Sequence, residues 1–228
     1  MRRPFVTANF AITADARIST RKLTPSLFSS PRDKRRLLEI RAGCDAVLVG
    51  ARTLGKDTMT MGLPAADLQK ARVKKGRAPF PLRVIVTNSG RLPADARVFT
   101  AAGLPTPIVF STRRMSTRAV QALAPVCDLW LQLADTVNLE AMLGTLREDY
   151  GVKRLVCEGG GTLLRALLAA GLVDELHLTI CPLLFGGRKA PTISGVAGDF
   201  LPASAQLRLV EMVPVDGECF TRWRVVAS

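Results

Sequence analysis

The stretch VCEGGGTLLRALLAAGLVDEL, from Val156 to Leu176, contains the signal that decides the fold. A short apolar run ends in Glu158 and three glycines, and the residues that follow them have a helical pattern. Because glycine lacks a Cβ, Gly159 to Gly161 can adopt positive φ and expose amides at the helix start. The partial positive charge at a helix N-terminus suits a phosphate. The segment therefore predicts a phosphate-binding turn, with a simple tight turn as an equal alternative.

Two common nucleotide motifs are excluded, because the glycines match neither G-x-G-x-x-G nor G-x-x-x-x-G-K-S/T. The chain instead alternates short apolar runs with amphipathic segments of helical length. Strands are predicted at Pro4–Thr13, Asp45–Gly50, Leu82–Asn88, Thr106–Ser111, Cys127–Leu133 and Lys153–Glu158. Helices are predicted at 30–43, with Ser30 as cap and Gly43 as end, and at 116–125, 138–151 and 161–171. This alternation favours a mostly parallel sheet covered by helices on both faces.

The end of the chain has a different pattern. Glu175 to Ile180 alternates like a strand, and two further alternating runs flank Asp216-Gly217. That dipeptide between alternating runs is a hairpin signal. An antiparallel hairpin is therefore predicted at the edge of the sheet.

Length and composition indicate the general class. With 228 residues, 48% of them hydrophobic, the chain is predicted to form one α/β domain, residues 1–228. No apolar run is long enough for a transmembrane helix and no signal-peptide pattern occurs, so we expect a cytoplasmic protein. Five scattered cysteines and the lone His177 predict buried structural thiols and an ordinary strand histidine, with no metal site.

The formal charge of +13 indicates either nucleic acid or small phosphorylated ligands as partners. The compact basic cluster is QKARVKKGR, Gln69 to Arg77, which lies between segments rich in proline and glycine. We interpret it as a solvated loop rather than a nucleic-acid patch. No aromatic residue is interleaved with it, which weakens a single-strand stacking platform.

The segment EGGGTLLRALLAAGLVDELHLTICPLLFGGRKAPT resembles the end of the riboflavin-biosynthesis reductases, the RibD C-terminal reductase family. RPFVTANFAITADARIST and IRAGCDAVLVGARTLGKD are similar to the opening strand and the second strand of that family. The resemblance extends from Arg3 to Thr192. It implies a three-layer dihydrofolate-reductase-like α/β fold, with a mixed, mostly parallel sheet and a C-terminal antiparallel hairpin. It further implies a homodimer, a stand-alone reductase without the deaminase domain, and NADPH as cofactor.

The resemblance also implies roles for individual residues. The implied cofactor contacts are Thr53 and Asp57 for the nicotinamide, Thr87, Asn88 and Ser89 for the adenosine side, the turn of Gly159, Gly160, Gly161, Thr162 and Leu163 for the diphosphate, and Ala11. The implied substrate contacts are Asn9, Ser26, Arg41, Met61 and Glu158, with Arg41 on the phosphate. Asp57 or Glu158 would help to transfer a proton, and the sequence does not choose between them. A helix N-cap at Thr53 and a surface arginine at the helix end for Arg41 are the competing interpretations.

The implied reaction is the NADPH-dependent reduction of a ribosylamino-pyrimidine 5′-phosphate to its ribitylamino form. NADPH is expected to bind better than NADH, although no residue for the 2′-phosphate is identified. Several segments depart from the family pattern: KDTMTMG lacks its D-D-P, DAR replaces D-G-K/R at Ala16, and Leu27 and Phe28 are unusually apolar. These departures concern the substrate more than the fold.

Two alternatives therefore stay open. A pocket with Leu27, Phe28, Met59 and Met61 would suit the flat ring of a pterin or dihydrofolate. The basic charge alone would suit a nucleic-acid-binding protein. Oxidation of NADPH with each substrate distinguishes the enzymes, and salt-dependent binding to oligonucleotides tests the last alternative.

Overall fold

The computed structural model describes residues 2–20, 28–54, 59–194, 201 and 204–226. Its elements are, in chain order, β1 (Phe5–Thr13), α1 (Pro31–Gly43), β2 (Ala46–Gly50), α2 (Ala51–Leu54), α3 (Ala66–Lys74), β3 (Leu82–Val86), α4 (Arg97–Thr100), β4 (Ile108–Thr112), α5 (Thr117–Leu123), β5 (Asp128–Gln132), α6 (Leu139–Glu148), β6 (Arg154–Gly159), α7 (Gly161–Ala169), β7 (Glu175–Cys181), β8 (Gln206–Val215) and β9 (Glu218–Val226).

The predicted strands are confirmed as β1 to β7, and the predicted helices as α1, α5, α6 and α7. The cap of α1 is also confirmed, since Ser30 Oγ accepts a hydrogen bond from the Asp33 amide at 3.1 Å. Gly43 is the last residue of that helix. Strand and helix periodicity is a local property of the chain, which is why these elements follow from the sequence.

The short helices α2, α3 and α4 were not predicted, and one of them corrects an interpretation. Ala66–Lys74 forms α3, so the loop predicted for Gln69 to Arg77 is wrong over most of its length. Arg72, within that cluster, is buried and donates hydrogen bonds to the carbonyls of Ala42, Cys44 and Ala78. The charge pattern indicated a solvated segment. The Arg72 guanidinium is instead buried, because it supplies hydrogen-bond donors to backbone carbonyls in the interior.

The described chain divides into two compact units. The first comprises Met1–Pro4 and Leu38–Val156, and the second comprises Phe5–Leu37 and Cys157–Ser228. The predicted single domain stays a prediction. β6 crosses the boundary along the chain and contributes residues to both units.

In the first unit the strand order is β5-β4-β3-β2, followed by β6, and the pairs from β2 to β5 are parallel. In the second unit β6 is followed by β1-β7-β9-β8; β1 and β7 are parallel, whereas β9 pairs antiparallel with both β7 and β8. At the β8–β9 turn Asp216 and Gly217 have φ of 49° and 85°, the two positive values that a tight hairpin of this kind requires. The predicted α/β class, with a mixed, mostly parallel sheet and a C-terminal antiparallel hairpin, is confirmed.

The hydrophobic core of the first unit lies around β2, β3 and β4. Every residue from Ala46 to Val49 is fully buried, as expected for parallel strands that are covered on both faces. The core cluster consists of Cys44, Val47, Val49, Leu54, Met61, Ile85, Val98, Val109, Met115, Leu123, Cys127 and Val156.

Four of the five cysteines are buried, and all five are free thiols. Burial raises the pKa of Cys127 to about 11 and that of Cys157 and Cys181 to about 12. A protonated, buried thiol packs as a small apolar side chain and is inert. The predicted burial is therefore confirmed for Cys44, Cys127, Cys157 and Cys181, whereas Cys219 is half-buried.

The described ranges contain neither a membrane-spanning helix nor a cluster of metal ligands. None of the helices there has both the length and the apolar character needed to cross a membrane. No cluster of three or more histidine, cysteine, aspartate or glutamate side chains in the same ranges is arranged to hold a metal ion.

Candidate functional site

The first unit brings two groups of predicted cofactor residues to one edge of its sheet. β2 and β3 are parallel neighbours, with Gly50 paired to Val86 at their carboxyl ends. Thr53 follows β2 within α2, and Thr87 to Ser89 follow β3 directly. In open α/β sheets, ligands bind outside the carboxyl ends of the strands. The N-cap interpretation of Thr53 is wrong, because α2 already begins at Ala51.

The turn after β3 is fixed by its own side chains. Thr87 Oγ1 accepts the Gly90 amide at 3.1 Å, and Asn88 Oδ1 accepts the Val137 amide at 3.0 Å. Gly90 has φ of 62°, and a Cβ on it would lie 2.4 Å from Met115 Cγ, so this position requires glycine. Turn chemistry therefore accounts for Thr87 and Asn88, and their contact with an adenosine stays a prediction.

The glycine segment belongs to the second unit. β6 ends at Gly159, Gly160 is the N-cap of α7 with φ of −39° and ψ of 156°, and the helix starts at Gly161. None of the three glycines uses the positive φ that a glycine can adopt. A single extended residue is enough to connect the strand to the helix, so no left-handed turn forms.

This geometry changes which amides face outward from the start of α7. The Leu163 amide donates to the Gly160 carbonyl at 2.9 Å, and the Leu164 amide donates to the same oxygen at 3.1 Å. Both donors are thus engaged inside the helix. Gly161 and Thr162, the first two residues of α7, remain the amides that suit a diphosphate.

Two neighbouring strands of the second unit hold three further predicted residues. Asn9 and Ala11 are half-buried on β1, between the buried Ala8, Phe10 and Ile12. Because side chains alternate along a strand, Asn9 and Ala11 share one face. Glu158 is half-buried near the end of β6, which is next to β1 in the sheet. The second unit therefore carries a carboxylate and an amide side chain on adjacent strands.

Arg41 lies in the last turn of α1 in the first unit and is only 7% exposed. Its Nη1 donates a hydrogen bond to the Gly62 carbonyl at 2.6 Å. The interpretation of Arg41 as a surface arginine is therefore wrong. A guanidinium that is removed from water interacts more strongly with a phosphate than one on the surface.

Met61, a predicted substrate contact, is part of the core of the first unit and is 1% exposed. It has φ of 58°, an unusual backbone conformation for a residue with a side chain. Its contact with substrate stays a prediction. Asp57, Ser26 and Leu27 lie outside the described residues.

The DAR segment retains the local geometry expected of its glycine-containing counterpart. Ala16 has φ of 60°, the left-handed conformation that glycine adopts most easily. The Thr13 hydroxyl and the amides of Phe185 and Gly186 donate to the Asp15 carboxylate and lower its pKa to about 2. The Phe28 ring, expected in the pocket of a pterin reductase, packs edge-on against Phe185 at 5.0 Å between centroids.

The comparison with known families agrees with this geometry. The model of the RibD C-terminal domain matches residues 4–218. The chain belongs to the RibD C-terminal domain family. The resemblance inferred from the sequence is thus confirmed.

Relatives of this RibD C-terminal domain include proteins of similar length. It is 34% identical over 191 residues to the 2,5-diamino-6-ribosylamino-4(3H)-pyrimidinone 5′-phosphate reductase of Archaeoglobus fulgidus, covering 84% of this chain and 86% of that protein. Identity to the protein of the same name from Methanothermobacter thermautotrophicus is also 34%, over 84% of this chain and 83% of that protein. The fold is similar to that of a pyrimidine reductase-like protein from Corynebacterium diphtheriae, with a TM-score of 0.87, 22% identity, and coverage of 99% and 93% of the two chains.

Arg83 is a buried charge of the first unit that was not predicted from the sequence. Arg83 lies within the apolar strand β3 of this RibD C-terminal domain, is 1% exposed, and donates to the Thr60 carbonyl at 3.1 Å. The signal was present, because a single arginine in the run LRVIV interrupts an otherwise apolar buried strand.

Proposed function

We propose that the chain reduces a ribosylamino-pyrimidine 5′-phosphate to the ribitylamino form, with NADPH as reductant. The observation that supports it most directly is Arg41, a buried arginine held by a backbone carbonyl. In a member of this family, such a residue suits the phosphate end of the substrate. The names of the two relatives, both 34% identical over most of their length, support the same reaction.

The residues present fit a dinucleotide. The N-terminus of α7, with Gly161 and Thr162 as its first residues, suits a diphosphate, because its backbone can approach closely and the helix dipole favours anions. In the first unit, Thr53 and the turn from Thr87 to Ser89, at the carboxyl ends of β2 and β3, offer hydroxyl and amide groups that suit a nucleotide. When bound, the nicotinamide would supply the hydride.

The chain itself contributes binding, orientation and a proton. Opening of the substrate's ribose gives a C1′=N imine; its reduction adds one hydride at C1′ and one proton at nitrogen, and NADPH becomes NADP⁺. Arg41 would hold the phosphate, so that C1′ stays close to the hydride donor. Glu158 or Asp57 would donate the proton or orient the group that does so.

We expect the purified protein to oxidise NADPH in the presence of the ribosylamino-pyrimidine 5′-phosphate, measured by the loss of nicotinamide absorbance. Titration by intrinsic fluorescence should show NADPH binding at least about tenfold tighter than NADH, since a 2′-phosphate gains charge-assisted hydrogen bonds in a basic protein. Dihydrofolate is the matched control substrate. Oxidation with dihydrofolate and not with the phosphorylated pyrimidine would show that the pocket belongs to a pterin reductase.

The C-terminal hairpin supports the proposed homodimer. β8 is the last strand of the second unit's sheet, and its apolar residues Leu207, Leu209, Val210, Met212 and Val213 are all exposed. A long apolar edge strand favours association for two reasons. The backbone donors and acceptors on its outer side have no neighbouring strand to pair with, and its apolar side chains are exposed to water. We infer that a second copy of the chain covers it, since symmetric pairing through one patch is the commonest form of oligomer.

Met212→Lys is expected to convert the dimer to monomer, because it places a charge in the apolar strand; the dissociation constant should rise roughly tenfold or more. Met212 is 54% exposed, and Val73 on α3 of the first unit is 56% exposed, which makes Val73→Lys a matched control. Sedimentation velocity over a range of concentrations measures both variants. A wild-type chain that stays monomeric at all concentrations, or a Met212→Lys variant that dimerises normally, would contradict the assignment.

A further inference from the structure

Arg83 has an unusual environment for a charged side chain. It is 1% exposed in the middle of the first unit, where removing a guanidinium from water costs several kcal/mol unless hydrogen bonds replace the water. All three of its nitrogens donate to backbone carbonyls. Nε and Nη2 donate to Pro105, the former at 2.8 Å, and Nη1 donates to Val98 at 2.5 Å and to Thr60 at 3.1 Å.

These carbonyls belong to three separate segments of the first unit, and one of them leads directly to Arg41. Thr60 is followed by Met61 and Gly62, and the Gly62 carbonyl accepts the hydrogen bond from Arg41 Nη1 at 2.6 Å. Arg83 therefore holds the first residue of the segment Thr60–Gly62, and the last residue of that segment holds Arg41.

A second contact fixes the same segment from its other side. A Cβ built on Gly62 would lie 3.1 Å from Leu104 Cδ1, so the Gly62 backbone is packed closely against Leu104. Leu104 precedes Pro105, whose carbonyl accepts two of the hydrogen bonds from Arg83. Arg83 thus restrains the segment in two ways. It donates directly to Thr60, and it bonds to Pro105, which follows the Leu104 that packs against Gly62.

The segment needs such support, because its backbone is not in a relaxed conformation. Met61 has φ of 58°, which costs about 1 kcal/mol or more for a residue with a Cβ. Without the Arg83 contacts the segment would relax toward a more common backbone conformation. The Gly62 carbonyl would then move, and with it the direction of the Arg41 guanidinium.

We propose that Arg83 is a positioning residue that orients Arg41 for the substrate phosphate through the segment Thr60–Gly62. This inference rests on the proposed function, in which Arg41 holds that phosphate. A site that recognises a phosphate through the planar fork of a guanidinium needs that side chain held to within about 0.5 Å. Arg83 provides this by a forked contact that lysine cannot reproduce.

The test is Arg83→Lys, which keeps the charge and loses the fork. We expect KM for the ribosylamino-pyrimidine 5′-phosphate to rise roughly tenfold, with kcat and NADPH affinity changed less than about twofold. The same pyrimidine without its phosphate is the internal control, because it does not use Arg41, and its kcat/KM should not change. A change of general folding would instead affect both substrates equally.

A double-mutant cycle tests the route through Arg41. In the Arg41→Ala background, Arg83→Lys should cause no further rise in KM, because the residue on which it acts is gone. Additive losses, or an unchanged KM in Arg83→Lys alone, would overturn the positioning role while leaving the proposed function intact. Absence of activity in the wild-type protein would instead refute the proposed function.

Gly62→Ala provides a second variant if Arg83→Lys does not fold. Its Cβ would lie 3.1 Å from Leu104 Cδ1, so the Gly62 backbone and the Leu104 side chain must move apart by a few tenths of an ångström, without any change to the Arg83 side chain itself. We expect the same selective rise in KM for the phosphorylated substrate, again about tenfold and absent in the Arg41→Ala background. A Gly62→Ala variant with wild-type KM for both substrates would overturn the inference.

Discussion

Arg41→Ala is expected to lower kcat/KM for the ribosylamino-pyrimidine 5′-phosphate by roughly 30- to 800-fold. This corresponds to about 2 to 4 kcal/mol, the scale for removing one partner of a desolvated charge pair. The physical reason is the burial of Arg41, because water cannot replace a guanidinium in a site from which it is excluded. Steady-state kinetics with the phosphorylated and the dephosphorylated pyrimidine measure the effect, which should be confined to the phosphorylated one.

Two controls separate this role from others. Arg41→Lys retains a charge without the planar fork, so a partial loss is expected. NADPH affinity should be unchanged in both variants. If Arg41 served only to bond the Gly62 carbonyl, Arg41→Ala would lower the melting temperature and leave kcat/KM of the folded enzyme unchanged. Equal losses of NADPH and substrate binding would assign Arg41 to the cofactor.

The second large effect concerns the proton. Of the variants Asp57→Asn and Glu158→Gln, we expect one to lower kcat by roughly 100- to 10,000-fold, the usual contribution of a positioned general acid. Both changes preserve side-chain size while they remove the exchangeable proton and the negative charge of the carboxylate. Glu158 lies near the end of β6, directly before Gly159, where a carboxylate is half-buried beside the glycine segment. Single-turnover kinetics in both variants measure the chemical step separately from product release.

The division of the effect between kcat and KM identifies which variant removed the acid. The variant that lacks the proton donor should have a lower rate of the chemical step in a single turnover. The other variant should keep that rate and show its main effect on KM. If both variants keep kcat within about threefold of wild type, the proton comes from solvent and neither carboxylate is the acid.

Much of the fold was predictable because its signals are local. The alternation in β7, the apolar runs of β1, β2 and β3, and the Asp216-Gly217 turn each depend on a few consecutive residues. The serine cap of α1 is equally local. Short-range signals of this kind are independent of the rest of the chain, and the structure follows them.

The candidate site was predictable only in part. The positions of Thr53 and Thr87 at the carboxyl ends of neighbouring strands follow from the strand pattern and from parallel pairing. The backbone conformation of Gly160 could not be predicted from the sequence, because glycine adopts positive and negative φ almost equally well. The strand before Gly160 and the helix after it select the negative value. The Leu163 amide, a predicted contact of the diphosphate, donates to the Gly160 carbonyl within the helix.

The sequence by itself determined the family, the α/β class, the terminal hairpin and the residue types available for phosphate and hydride-transfer chemistry. Only the tertiary structure decided which charges are buried. Arg41 and Arg72 look like ordinary basic residues along the chain, whereas Arg83 interrupts an apolar run; all three are buried with hydrogen bonds to backbone carbonyls. Arg83 and Val98 are 15 residues apart along the chain, Arg41 and Gly62 are 21 apart, and Arg72 and Cys44 are 28 apart. No local pattern encodes such a contact, because an arginine is stable in the interior only where folding brings enough unpaired carbonyls around it.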